Sequence, residues 1–189
     1  MDLWLIILLI VLAVLIVGVI VWVISAYNNF VRLRNNIDEA FSTMDIYMKK
    51  RYDLIPNLVE TVKGYAKHES QTLENVIKAR NIAVDASSVE DKIKGENLLT
   101  GALKSVFALS ESYPNLKADS NFIDLQNTLK SLEHEIASSR KYYNGTVKVY
   151  NTKREMFPSN IIAKSFKFEK KPLYEVDSVE ERKNVKVEF

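Results

Sequence analysis

The chain has 189 residues, enough for one domain with appendages. Its 26 Lys and Arg against 24 Asp and Glu leave a net charge of +2, too balanced for nucleic-acid binding driven by charge alone. The absence of cysteine excludes disulfides, thiolate metal sites, thiol catalysis and a lipidated-cysteine anchor, and five Gly, four Pro and 26% charged residues set the chain apart from low-complexity and disordered sequences.

The first element is the run from Leu3 to Ile24. Eighteen of its 22 residues are Leu, Ile or Val, and its only hydrogen-bonding side chains are the indoles of Trp4 and Trp22. As a helix it spans about 33 Å, against a bilayer core of ~30 Å. Insertion is favoured by very roughly 7 kcal/mol. Trp4 and Trp22 fall about 27 Å apart along the axis, near the two membrane interfaces where indoles prefer to sit. A core helix would carry a polar stripe, and a cleaved signal peptide a basic start and a shorter apolar run. The run therefore reads as an uncleaved membrane span. No Lys or Arg precedes it, whereas Arg32 and Arg34, then Lys49, Lys50 and Arg51, follow it. The positive-inside bias places the remainder in the cytoplasm.

From Ser25 onward the apolar period becomes 3.6, through Phe30, Leu33, Ile37, Ala40/Phe41, Met44 and Met48. No Gly or Pro separates this stripe from the span, so one helix is expected from about Leu3 to Arg51. Pro56 predicts a break, with a second helix opening at Asp53–Pro56 and carrying Leu58/Val59, Val62, Tyr65/Ala66, Leu73, Val76/Ile77 and Ala83/Val84 inward. Gly64, interior to that helix, points to a close helix contact. Ser87 with Glu90 and Ser88 with Asp91 have capping-box spacing and open a third helix, which ends at Tyr113–Pro114–Asn115. Its inward positions are Leu99, Ala102/Leu103, Val106/Phe107, Ser110 and Tyr113. Asp119–Ser120 caps a fourth, with Phe122, Leu125, Leu129, Leu132, Ile136, Tyr143, Val147, Tyr150 and Phe157 inward; Phe157–Pro158 ends it. Strand-like alternation occurs only at Val185–Phe189. Short connections make neighbouring helices antiparallel. The turn at Asp53–Pro56 and the loop from Tyr113 to Ser120 then share a membrane-distal tip.

Several stretches resemble the LemA family. They are Tyr27–Asn28, KKRYDLIPNLVETVKGYAKHE at Lys49 to Glu69, YPNLKADSNF at Tyr113 to Phe122, Leu125–Gln126, the heptad-spaced Tyr143–Asn144 and Tyr150–Asn151, and FPSNIIAKSFKF at Phe157 to Phe168. Lys50, where an arginine is more usual, and Gly145–Thr146 depart from the pattern. The resemblance implies a membrane-anchored four-helix bundle in a bacterium, and it supplies no activity.

The templates for chemistry fail. His68–Glu69 and His134–Glu135 lack the Glu-x-x-His pairs of a di-iron bundle, since Tyr65 and Ser131 stand where Glu is required. Thr72 breaks a His-Glu-x-x-His helix, and no Gly-rich phosphate loop or nucleophile elbow occurs. Solvated histidines are the plainer reading. Glu69, Leu73, Val76 and Arg80 share one helix face, and Arg140 and Arg154 interrupt the fourth stripe. These charges read as register-fixing ion pairs or as a ligand site inside the bundle. The Tyr–Asn pairs read as register-setting polar core residues.

Two surfaces remain. At the expected tip, Arg51, Asp53, Pro56 and Asn57 converge with Pro114, Asn115, Lys117, Asp119 and Asn121, a mixture suited to a protein contact as well as to turn chemistry. After Pro158 come Ile161, Ile162, Lys164, Phe166, Lys167, Phe168, Lys170 and Lys171, a mixture suited to a membrane interface, like Trp4 and Trp22, or to packing along the bundle. The fold class expected is all-α, a transmembrane helix continuous with an antiparallel four-helix bundle and a short irregular tail. Residues 1–26 form the anchor (span 3–24), 27–158 the bundle and 159–189 the tail. The expected function is that of a non-catalytic, single-pass scaffold or adaptor at the bacterial cytoplasmic membrane. Its partners are the bilayer and proteins or further copies of itself, with no nucleic acid, cofactor or metal. The alternative is a ligand-binding or sensory module built on the polar core around Glu69 and Arg80.

Overall fold

A computed structural model describes residues 3–174. Those residues form six helices and no strand: α1 (Leu3–Tyr65), α2 (Ser70–Asp85), α3 (Val89–Ser110), α4 (Pro114–Lys117), α5 (Ser120–Glu155) and α6 (Ser159–Ser165). The alternation at Val185–Phe189 lies outside the described residues.

The largest departure from the sequence reading is at Pro56. The helix expected to stop at Arg51 continues to Tyr65, and Pro56 sits inside it. The apolar stripe explains why. Met44, Met48, Tyr52, Ile55, Leu58, Val62 and Ala66 are all buried and keep the 3.6 period across the proline, while Pro56 itself faces solvent. An interior proline costs about 3 kcal/mol, whereas each large apolar side chain buried on either side contributes roughly 1.5–3 kcal/mol. The stripe therefore outweighs the proline. Pro56 has no N–H to give the Tyr52 carbonyl, and Arg80 Nε reaches that oxygen instead at 3.5 Å. The chain turns at Ala66–Glu69, where Glu69 N–H donates to Ala66 O at 3.2 Å, and α2 begins at Ser70 rather than near Asp53.

Contacts divide the chain into two compact units, to both of which α1 and α5 contribute. In the first, residues 3–42 with 142–173, side chains 3–22 are exposed on every face of α1. Among the described residues α1 is the one helix long and apolar enough to cross a membrane. Beyond it, Phe30, Ile37 and Ala40 are buried with Tyr143, Val147 and Tyr150 of α5. Phe30 meets Tyr150 edge-on at 6.0 Å, and Phe41 meets Tyr143 at 5.8 Å. Phe157, expected inward, is 78% exposed because α5 has already ended at Glu155. Residues 159–165 form α6, so the tail expected to be irregular opens with a helix.

In the second unit, residues 43–141 with Tyr174, α2 packs on α3. The close approach lies at Gly95, where an added Cβ would come within 2.6 Å of the Ala83 Cα. Gly64, expected to mark such a contact, has nothing within 4 Å of an added Cβ, because it lies on the exposed last turn of α1. Ser88 caps α3, its Oγ accepting from Asp91 N–H at 3.0 Å. Asp119 caps α5, its Oδ1 accepting from Phe122 N–H at 2.9 Å. Between these helices, Pro114 opens the single turn of α4, which buries Leu116.

Candidate functional site

The second unit holds a buried charge centre. Arg51 is 1% exposed and Glu96 2%. The apolar stripes of α1 and α3 bring them together, because 48–51–55 and 93–96–99 are both successive inward steps of a helix. The Arg51 guanidinium donates to Glu96 Oε2 through one nitrogen and to Glu133 Oε2 through the other, and lies 3.4 Å from Thr100 Oγ1. Tyr52 O–H donates to the second oxygen of Glu96. The Arg140 guanidinium stacks over the buried Tyr174 ring at 4.9 Å.

Burial pushes the Glu96 carboxyl above its ordinary value, with Arg51 and the Tyr52 hydrogen bond pulling the other way. Burial, and then the Glu96 charge, push the Tyr52 phenol far up; burial does the same to Tyr174. Both phenols stay neutral at any physiological pH, Tyr52 as the donor to Glu96. Chemically the centre is a lock: one buried cation joins carboxylates from α3 and α5 to α1, fixing three helices in one register. Arg51, expected at the end of the first helix in a membrane-distal tip, is instead the hub of this centre, and Tyr52, Glu96, Glu133 and Tyr174 were not among the expected site residues. The signal was there: charged residues standing at inward steps of apolar stripes.

The nine residues assigned to a tip do not share one place. Arg51 is buried in the lock, because its position is an inward step of an unbroken helix. Asp53, Pro56 and Asn57 stand exposed along the same helix, two to four turns short of its end. The α1–α2 turn that does meet the connection from Tyr113 to Ser120 is Ala66–Glu69. Tyr65 O–H donates to Asp119 Oδ2 at 2.9 Å, and Tyr113 O–H to Glu69 Oε1 at 3.0 Å. The Phe122 N–H, with Tyr65 second, holds the Asp119 carboxyl below its ordinary range. Pro114, Asn115 and Lys117 are exposed on this connection and Asn121 on the first turn of α5, with Lys117 pairing with Glu111.

The segment after Pro158 folds back on its own unit. Lys167 adopts a left-handed φ of 54° and closes α6 with a Schellman turn: Phe168 N–H donates to Ala163 O at 2.9 Å, and Lys167 N–H to Lys164 O at 3.2 Å. The reversal buries Phe168, 8% exposed, in a stack on Phe30 at 4.9 Å. Side chains of α5 then bind the returning backbone. Tyr150 O–H donates to Glu169 O at 2.9 Å, Arg154 Nε to Phe168 O at 2.9 Å and Tyr143 O–H to Pro172 O at 3.0 Å. Asn151 forms a pair with Lys171, giving to its carbonyl at 2.8 Å and accepting its N–H at 3.0 Å. Burial raises the Tyr150 phenol. Three of the heptad-spaced Tyr–Asn residues, Tyr143, Tyr150 and Asn151, are thus polar clamps on this strap. Ile162 and Phe168, expected at a membrane interface or packed along the bundle, are buried in the fold. Ile161, Lys164, Phe166, Lys167 and Lys170 remain exposed, and Lys171 is half-buried. Trp4 and Trp22 are both exposed on α1.

Glu69 and Arg80, the anticipated polar core, are occupied separately, the first by Tyr113 and the second by the Tyr52 carbonyl and Asn81. His68 and His134 are exposed, and no cluster among the described residues has the donors to hold a metal.

A sequence profile of the LemA family matches residues 40–189. Protein LemA of Metamycoplasma hominis is 25% identical over 172 residues, covering 88% of this chain and 77% of that protein. Magnetosome protein MamQ 2 of Paramagnetospirillum magneticum is 24% identical over 174 residues, and Magnetosome protein MamQ of Magnetospirillum gryphiswaldense 23% over 173. Each of these two matches covers 78% of this chain and 64% of the relative, just under two thirds of its length.

Proposed function

The chain belongs to the LemA family, and on that premise we propose that it is a membrane-anchored scaffold or adaptor with no catalysis of its own. Residues 3–24 cross the bacterial cytoplasmic membrane once, the remainder is cytoplasmic, and the extramembrane part of α1 with α2, α3 and α5 forms an antiparallel four-helix bundle. The observation that carries the reading is the continuity of α1. An apolar stretch exposed on every face runs without a break into a helix whose buried Arg51 is paired with the buried Glu96. A bilayer is the solvent that fits the first part. The second part is built for rigid register, which suits presentation of a surface. That surface is the exposed connection carrying Pro114, Asn115 and Lys117, with Asn121 on the first turn of α5.

The test is extraction of the full chain in mild detergent. A protein recovered in stoichiometric amount, and lost on Lys117→Glu without a change in melting, supports the reading. A tightly held small molecule with no protein partner contradicts it.

A further inference from the structure

The first unit carries a cavity that the scaffold reading does not use. It measures about 210 Å³ and lies where α1 leaves its apolar stretch, walled by Trp22, Ser25, Asn29 and Arg32 on one side and by Lys153 and Ser159 on the other. At roughly 30 Å³ per molecule of liquid water, that is room for a phosphate ester with part of its glycerol. Four of the polar groups facing it can donate to a ligand: the Arg32 guanidinium, the Lys153 ammonium, the Ser25 hydroxyl and the Asn29 side-chain amide, while the Ser159 hydroxyl is committed to backbone carbonyls. Among the described residues no ion pair engages Arg32 or Lys153.

We propose that this cavity binds the headgroup phosphate of an anionic phospholipid. The proposal rests on the reading that residues 3–24 span the membrane, and three features add to it. The first is level. Arg32 lies ten residues beyond Trp22, about 15 Å along the axis, but helical side chains lean toward the N-terminus. Arg32 does so, donating to Asn29 Oδ1 at 3.1 Å, one turn nearer the span. Its charge thus reaches down toward the headgroup layer, which adds roughly 5–7 Å to each side of the hydrocarbon core. The second is chemistry. A guanidinium held by one bond keeps its remaining N–H pair for a bidentate grip on phosphate, and a lysine opposite adds a point charge. The third is bracing. Ser159 Oγ lies 2.6 Å from Lys153 O and 2.9 Å from Met156 O, so the Lys153 wall and the Ser159 wall form one rigid corner. That corner also carries Met156 and Phe157, both exposed, which suit the acyl boundary below a headgroup. These residues are distinct from the lysines of the tail.

The test uses the full chain in nanodiscs of phosphatidylcholine, with phosphatidylglycerol titrated in, and native mass spectrometry to count retained lipid. Wild type is expected to retain one phosphatidylglycerol. Arg32→Gln with Lys153→Gln is expected to weaken retention roughly twenty-five-fold, at about a fivefold loss per charge near the surface. The control Lys130→Gln with Lys148→Gln removes the same charge elsewhere and is expected to leave retention within twofold. Equal loss in both double variants overturns the site in favour of diffuse attraction. Displacement of the lipid by millimolar inorganic phosphate overturns the lipid assignment in favour of a soluble phosphate ligand. A chain that fails to enter nanodiscs at all refutes the membrane span itself, which the mass of the disc reports separately.

Discussion

Arg51→Met should be the most damaging single change in the helical body. Glu96 would stay buried at 2% exposure with its cation gone, keeping only the Tyr52 hydroxyl and the field of Arg140. Removing one partner of a buried pair costs about 3–5 kcal/mol. Glu133, whose side chain is 45% exposed, can turn to water and adds little. Arg51→Met with Glu96→Met removes both charges and leaves only the Tyr52 hydroxyl without its acceptor, at about 1–3 kcal/mol. The double variant should therefore be more stable than Arg51→Met alone, a coupling that a double-mutant cycle reads directly. The pH dependence has a defined sign. Glu96 has a raised native pKa, so between its unfolded value near ~4.3 and its native value the folded chain binds more protons. Stability from this group falls as pH rises through that window and stays flat above it. Without Arg51 the window widens, so the cost of Arg51→Met is largest at neutral pH and shrinks as pH falls toward about 4. Urea unfolding of the full chain in detergent micelles, followed by far-ultraviolet circular dichroism, measures all of this. A midpoint for Arg51→Met within about 0.5 kcal/mol of wild type, or a double variant equal to the sum of the singles, refutes the lock.

Gly95→Ala should destabilise by about 1–3 kcal/mol, because its Cβ meets the Ala83 backbone at 2.6 Å; the same urea midpoint reads it. Lys167→Gly should stabilise by about 1 kcal/mol, since only the side chain makes φ 54° costly, and a calorimetric melt detects it. Asn151→Ala removes both bonds to Lys171, so trypsin should cleave after Lys170 several-fold faster with global melting little changed, while Pro172 keeps the bond after Lys171 resistant.

The apolar N-terminal helix, the stripes and the caps at Ser88 and Asp119 were legible because each is a local pattern with a local cause. Pro56 misled because its sign was weighed without the stripe, and Arg51 hid the stripe by standing where an apolar residue was expected. Met48 to Ile55 is seven residues, two turns, so the phase was available. Glu96 and Glu133 were harder: their pairing with Arg51 crosses 45 and 82 residues, beyond any local period. The strap after Lys167 was equally non-local, since Phe168 is buried by Phe30 and its backbone is clamped from α5. What residues 161–171 lacked in sequence was any sign that half their apolar groups already had a protein partner.

The central claim is that this chain holds other proteins at a membrane. The most direct measurement is the native mass of the complex released from cell membranes with its own lipid. The expected mass exceeds the 21.7 kDa chain by whole protein subunits, its own or another's, in fixed ratio. A single 21.7 kDa chain carrying only lipid or a small ligand would contradict it.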